Sequence, residues 1–135
     1  MATTTIPDKY VDLVDAKKKT FAHLATIMHD GTPQVTPVWF DYTGGKIRVN
    51  TARGRIKDKN MKVDAHVALS ILDPENPYRH IQIRGRVAAE TEKGADAHID
   101  SLAKKYLDKD KYPFGQPGEV RVIYEIEPQS VSAMG

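Results

Sequence analysis

The chain has no cysteine. Disulfides and thiolate chemistry are therefore excluded, which fits a reducing cytoplasm. No apolar run approaches the ~18 residues of a membrane span, so no span is expected. Met1 to Thr5 are short and polar and show no apolar signal-peptide core. Net charge is small, +2 over 135 residues, so bulk electrostatics give no argument for nucleic acid. Serines are few, Ser70, Ser101, Ser130 and Ser132, and none stands in a G-x-S-x-G elbow. The five histidines, His23, His29, His66, His80 and His98, show no metal-ligand spacing. His98 lies on a helical stripe and reads as structural. No G-x-G-x-x-G is present. With no such apparatus visible, any chemistry falls to a bound cofactor.

What is present is a segment running from Asn50 to Asn60, Asn-Thr-Ala-Arg-Gly-Arg-Ile-Lys-Asp-Lys-Asn. The β-branched run Lys46-Ile47-Arg48-Val49 leads into it, and an amphipathic helical pattern leaves it. Backbone N–H groups at a helix start carry partial positive charge. Thr51 adds a hydroxyl, Arg55 two donors and Lys57 a mobile point charge. Asn60 lies on the apolar face of that pattern, where an amide needs partners. Arg53, Arg55, Lys57, Lys59 and Lys62 crowd the segment against a single acid, Asp58. Spacing alone leaves two readings open. One is an anion site; the other is a solvated basic helix face, with Asn60 bonded to a nearby turn.

The remaining pattern predicts one domain, residues 1–135, long enough to bury a core without staples. A first helix is expected over Pro7 to Lys18 and a strand over Thr20 to Met28. His29 to Pro33 reads as a hairpin turn with an Asp-Gly signal. Gln34 to Tyr42 alternates as a strand, in which Pro37 marks an edge or a bulge. Thr43 to Gly45 turns the chain into the strand Lys46 to Thr51. A short helix is expected over Arg55 to Asp64, a strand over Ala65 to Leu72 and a loop over Asp73 to Pro77. Arg79 to Glu90 reads as a long strand with Gly85 at a bulge. Thr91 to Leu107 is helical, and Asp108 to Gly118 is a loop. Glu119 to Ile126 is a last strand, extended by Val131 to Met134. Regular strands with few helices argue for an antiparallel barrel flanked by helices, not a parallel sheet.

Two further sites stand out. Trp39 beside Pro37 offers a flat wall for a planar ring, although a lone Trp more often fills the core. Tyr78 and Arg79 sit where a loop re-enters a strand; a turn with a snorkelling Arg is the alternative. Lys17-Lys18-Lys19 and Lys104-Lys105 read as solvated faces.

Taken in order, Gly31-x-Pro33, Thr36-Pro37-Val38-Trp39-Phe40, Thr51-x3-Arg55-x-Lys57-x2-Asn60, Asn76-Pro77-Tyr78-Arg79 and Arg84-Gly85 resemble a known family. It is the flavin/deazaflavin oxidoreductase superfamily, the pyridoxamine 5'-phosphate oxidase-like split β-barrel group. Within it the chain looks most like the coenzyme F420-dependent B group. The resemblance implies a mainly β split barrel with flanking helices, paired as a homodimer with cofactor at the interface. It implies that Thr51, Arg55, Lys57 and Asn60 hold the cofactor phosphate, with Asn50 beside them. It implies that the strand carrying Gln34, Thr36, Pro37, Val38 and Trp39 lines the ring pocket. Tyr78 and Arg79 match the loop near the cofactor at the subunit boundary.

The resemblance also implies hydride transfer between F420 and a small electron-poor compound such as an activated alkene or a quinone. Such transfer needs no protein nucleophile and no metal. No side chain is an obvious proton donor; Tyr78 is the candidate, and solvent is the alternative. The basic cluster suits the phosphate and acidic tail of F420 better than the single phosphate of FMN. The rivals are an FMN-dependent oxidase or reductase of the same fold, and a non-catalytic cofactor-binding protein. The segments near the N-terminus and from Asp108 to Gly118 face the substrate and are left open.

Overall fold

The computed structural model describes residues 4–15 and 18–135. A 3-10 helix, Asp8–Leu13, precedes seven strands and two α-helices. The strands are β1 (Ala22–Ile27), β2 (Pro33–Val38), β3 (Phe40–Thr43), β4 (Lys46–Ala52), β5 (His66–Asp73), β6 (Asn76–Thr91) and β7 (Arg121–Met134). The helices are α1 (Ile56–Val63), between β4 and β5, and α2 (Ala95–Leu107), between β6 and β7. The strands form one sheet in the order β2-β1-β5-β6-β7-β4-β3, and every pairing is antiparallel. Its two edge strands, β2 and β3, are separated in sequence by Trp39 alone. The sheet must therefore curl to bring its edges together, which makes it a split barrel.

Period-two alternation builds the interior. Leu24 on β1, Ile47 and Val49 on β4, Leu69 and Ile71 on β5, Ile81 and Ile83 on β6, and Tyr124 and Ile126 on β7 are essentially inaccessible to solvent. Each such aliphatic side chain contributes about 1.5–3 kcal/mol on burial. The register slips between Arg84 and Gly85 as expected for a bulge. A Cβ on Gly85 would lie 2.8 Å from Glu127 O and 2.9 Å from Ile126 Cγ2. Only glycine allows β7 this close.

Several boundaries differ from expectation. The helix expected over Pro7 to Lys18 is a 3-10 turn over Asp8–Leu13, with Ala16 and Lys17 outside the described residues. Its carbonyls are taken by other groups. Arg79 Nη2 donates to Lys9 O at 2.6 Å, and Thr20 Oγ1 donates to Leu13 O at 2.7 Å. The strand expected over Gln34 to Tyr42 breaks at Trp39, where the chain leaves one sheet edge for the other. The loop expected over Asp73 to Pro77 is a tight turn, because Asp73 pairs with Asn76 and its carboxylate accepts from the Glu75 N–H at 2.9 Å. Lys105 is not a solvated residue. Its Nζ is buried without a hydrogen-bond partner among the described residues and lies 5.0 Å from the Phe40 ring centroid and 4.9 Å from that of Tyr106. Lys18 is ion-paired with Asp12 and Asp73.

Candidate functional site

The turn from β4 into α1 is held by one buried carboxylate. Asp58, 3% exposed, accepts from the Gly54 N–H at 2.8 Å, Arg53 Nη1 at 3.0 Å and the Tyr124 hydroxyl at 2.6 Å. A first-turn acid reaching back to the chain before the helix is the logic of a capping box. Burial pushes this carboxyl up, but those three hydrogen bonds outweigh it and hold it below the usual range. Gly54 takes a positive φ of 90°, which glycine adopts without strain. Arg55 is the N-cap residue, in extended conformation and with no side-chain cap bond. The helix start is thereby left open to an external anion.

In front of it lies a cleft of about 230 Å³. The β2–β3 junction gives Pro37, Val38 and Trp39; β4 gives Asn50 and Thr51; the α1 turn gives Arg55 and Lys57. Phe21, Ile99, Tyr112, Phe114 and Arg121 complete it. Thr51 is 2% exposed, and its Oγ1 is buried with no hydrogen-bond partner among the described residues. A buried hydroxyl left unsatisfied costs roughly 1–3 kcal/mol. Lys57 is half-buried. Burial pushes its ammonium below the usual lysine range, and Arg55 and Arg121 push it the same way. Arg55 is about half exposed and only loosely paired, 3.8 Å from Glu119 Oε2. Three cations, Arg55, Lys57 and Arg121, line the same cleft as the Thr51 hydroxyl, and one acid, Glu119, pairs with Arg55 and Arg121. The donor set suits a phosphate.

The apolar side of the cleft is aromatic. Trp39 stacks on Tyr106, centroids 5.2 Å apart and planes 3° off parallel. Tyr112 meets Trp39 edge-on at 5.9 Å, and Phe114 meets Tyr112 edge-on at 5.6 Å. Burial pushes the Tyr106 hydroxyl up to about 12. It stays protonated and donates to Thr20 O at 2.6 Å. The segment after α2 is tied down, since the Tyr112 N–H donates to Asp100 Oδ1 at 2.9 Å.

The fold thus brings together Pro37, Val38, Trp39, Asn50, Thr51, Arg55 and Lys57. It does not bring Gln34, Thr36, Asn60, Tyr78 or Arg79 to the cleft wall. Asn60 is buried and donates to Thr26 Oγ1 at 3.0 Å and Met28 Sδ at 3.3 Å, so it ties α1 to β1. Gln34 accepts from the same Thr26 hydroxyl at 3.4 Å. Thr36 lies between Gln34 and Val38 on the inner face of β2, and its Oγ1 is also buried and without a partner among the described residues. Arg79 is held by Asp12, Asp73 and Lys9 O, while Tyr78 is 78% exposed. Arg53 is not available to a ligand either; it pairs with Asp58, Glu90 and Glu92. Sequence reasoning placed the Asp108 to Gly118 segment toward the substrate without singling out Tyr112 or Phe114, and it missed Arg121. The available signals were an aromatic pair bracketing Pro113 in a polar loop, and a lone Arg at the head of an apolar strand.

A larger hollow of about 600 Å³ lies over β1, β5 and β6, lined by Ala25, Ile27, Val67, Ala68 and Gly85 among others. None of the unpartnered buried polar atoms among the described residues belongs to its lining. The unpartnered Thr51 hydroxyl and the cations Arg55, Lys57 and Arg121 lie at the smaller cleft.

The profile of the pyridoxamine 5'-phosphate oxidase family matches residues 6–135. The chain belongs to this family. No curated protein matches it. Among solved structures, one described as "F420 Reductase" is 33% identical, with a TM-score of 0.81. The match covers 94% of this chain and 98% of that one. A conserved hypothetical protein from Mycobacterium tuberculosis shares the fold at 20% identity and a TM-score of 0.73. That match covers 98% of this chain and 87% of the other. No helix among the described residues is long and apolar enough to cross a membrane.

Proposed function

We propose that this chain is a cytoplasmic F420-dependent oxidoreductase acting on a small electron-poor organic compound, such as an activated alkene or a quinone. The observation that carries the reading is the buried Thr51 hydroxyl, which has no partner among the described residues and lines the same cleft as Lys57, whose ammonium makes no ion pair with a described residue. Thr51, Lys57 and Arg55 hold the phosphate at the start of α1. Trp39, with Tyr112 edge-on to it and Phe114 edge-on to Tyr112, forms the apolar side of the cleft beside it. When bound, the reduced deazaflavin supplies the hydride. The protein supplies orientation and a dry pocket. The family membership supports a flavin-type cofactor, and the 33% identity to a structure described as an F420 reductase supports the choice of F420.

The reading includes a homodimer. Tyr78 does not line the cleft of its own chain. Its proposed role beside the cofactor, and as proton donor, therefore requires the second copy to supply it. One observation favours FMN as the rival cofactor. Arg53 is occupied by three acids, so fewer cations remain for an acidic tail, and Thr51, Arg55 and Lys57 serve a single phosphate equally well. Titrating the protein with F420 and with FMN in parallel separates the two. Tight F420 binding, weakened in Lys57→Ala, supports the reading; tight FMN binding without F420 binding overturns it. Binding without oxidation of reduced F420 by enones or quinones supports a non-catalytic binding protein.

A further inference from the structure

Arg121 is 7% exposed at the cleft wall. Its Nε donates to Asn50 Oδ1 at 2.9 Å and its Nη1 to Glu119 Oε1 at 2.6 Å. The guanidinium lies 5.1 Å from the Tyr112 ring centroid. Its Nη2 makes no hydrogen bond to a described residue.

The orientation of the Asn50 amide follows from its neighbours. Arg121 Nε–H only donates, so the atom opposite it is the amide oxygen. Ala95 O only accepts, so the atom 2.8 Å from it is the amide nitrogen. That nitrogen also lies 3.0 Å from His98 Nδ1. Nδ1 must therefore accept, and the ring proton sits on Nε2. Nε2 in turn donates to Asp41 Oδ2 at 2.8 Å. Arg48 fixes Asp41 through two bonds of 2.8 and 2.9 Å. Each link has one allowed direction. The chain runs from β3 through α2 and β4 to the cleft.

We propose that His98 is a positioning residue. Its neutral, Nε2-protonated ring fixes Asn50, and Asn50 fixes Arg121, whose unpaired Nη2 donors are thereby held at the cleft for the anionic group of the cofactor. The identity of that anion rests on the reading above; the coupling of His98 to Arg121 does not. A ring carrying a proton on Nδ1 would set a donor against the Asn50 amide nitrogen. The amide could then satisfy His98 only by turning its nitrogen toward Arg121.

The test is a double-mutant cycle with F420 as probe, using Arg121→Ala, His98→Phe and the pair. Each single change is expected to weaken F420 binding about tenfold, the value of one hydrogen bond to a charged group. The pair is expected to be no weaker than Arg121→Ala alone, because His98 acts through Arg121. Losses that multiply to about a hundredfold overturn the proposal, as does full affinity in Arg121→Ala when Lys57→Ala is impaired. Where His98→Phe does not fold, His98→Gln replaces it. In the unaltered protein, nitrogen NMR is expected to find His98 protonated at Nε2 and bare at Nδ1; the reverse tautomer overturns the proposal. Absence of F420 binding by the unaltered protein sinks the cofactor reading instead. The Arg121 Nε–H resonance then decides: a shift in the His98 variant supports the coupling, and an unchanged resonance refutes it.

Discussion

Asp58→Asn separates architecture from charge, because the two predict opposite signs. The change preserves shape and removes one negative charge beside the anion cleft. By charge alone, F420 should bind more tightly. The structure says otherwise. Oδ1 of Asp58 accepts from Arg53 and Tyr124, and Oδ2 accepts from the Gly54 N–H. An amide has one oxygen. With oxygen at the Oδ1 position, its NH2 opposes the Gly54 N–H; turned over, it opposes Arg53, while the Tyr124 hydroxyl can accept from the amide and donate to the backbone oxygen of residue 58. One charge-assisted bond is lost in either case, and the others weaken to neutral ones. Arg53 keeps Glu90 and Glu92, so no cation is stranded. The expected cost is about 3 kcal/mol. At ~0.3 kcal/mol per degree for a chain of 135 residues, the thermal midpoint falls roughly 10 °C. The loosened turn also misplaces Arg55 and Lys57, so F420 affinity falls with it. Circular dichroism melts and fluorescence titration measure both. An unchanged midpoint, or tighter F420 binding, refutes the reasoning.

Two further outcomes follow from the same geometry. F420 affinity should fall as pH rises through the Lys57 pKa, and because burial has lowered that pKa, the fall begins below the ordinary lysine range. In Lys57→Arg the alkaline fall should disappear, since a guanidinium stays charged; a profile identical to the unaltered protein would remove Lys57 from the site. The sign for folding is opposite: a base with a depressed folded pKa destabilises the fold below that pKa and ceases to do so as pH rises. Gly85→Ala should cost about 1–3 kcal/mol, because the new Cβ meets the Glu127 carbonyl at 2.8 Å; a denaturant midpoint equal to that of the parent would show that β7 moves aside freely.

The barrel was legible because alternation writes it directly. Val67, Leu69 and Ile71, or Ile81 and Ile83, announce which face is inward, and the Asp30-Gly31 and Gly44-Gly45 turns separate the first strands. The short helix after β4 was legible for a similar local reason, expected over Arg55 to Asp64 and found over Ile56–Val63. What sequence hid was long-range pairing. Arg53 counted as a free cation, yet its partners Glu90 and Glu92 stand 37 and 39 positions away. Asn60 faced inward as expected, but toward Thr26 rather than a ligand. Arg79 sat in a suggestive motif, and Asp12, 67 positions earlier, holds it. Arg121 joined the site only because β7 pairs with β4, which sets it opposite Ala52.

Thr51→Val puts the central claim to the most direct measurement. It removes one hydroxyl and nearly nothing else. If that buried Oγ1 is kept for a ligand, its loss should stabilise the ligand-free protein by about 1 kcal/mol, a midpoint rise of roughly 3 °C. The same change should weaken F420 binding about tenfold. Affinity left intact, whatever the midpoint does, would contradict the account.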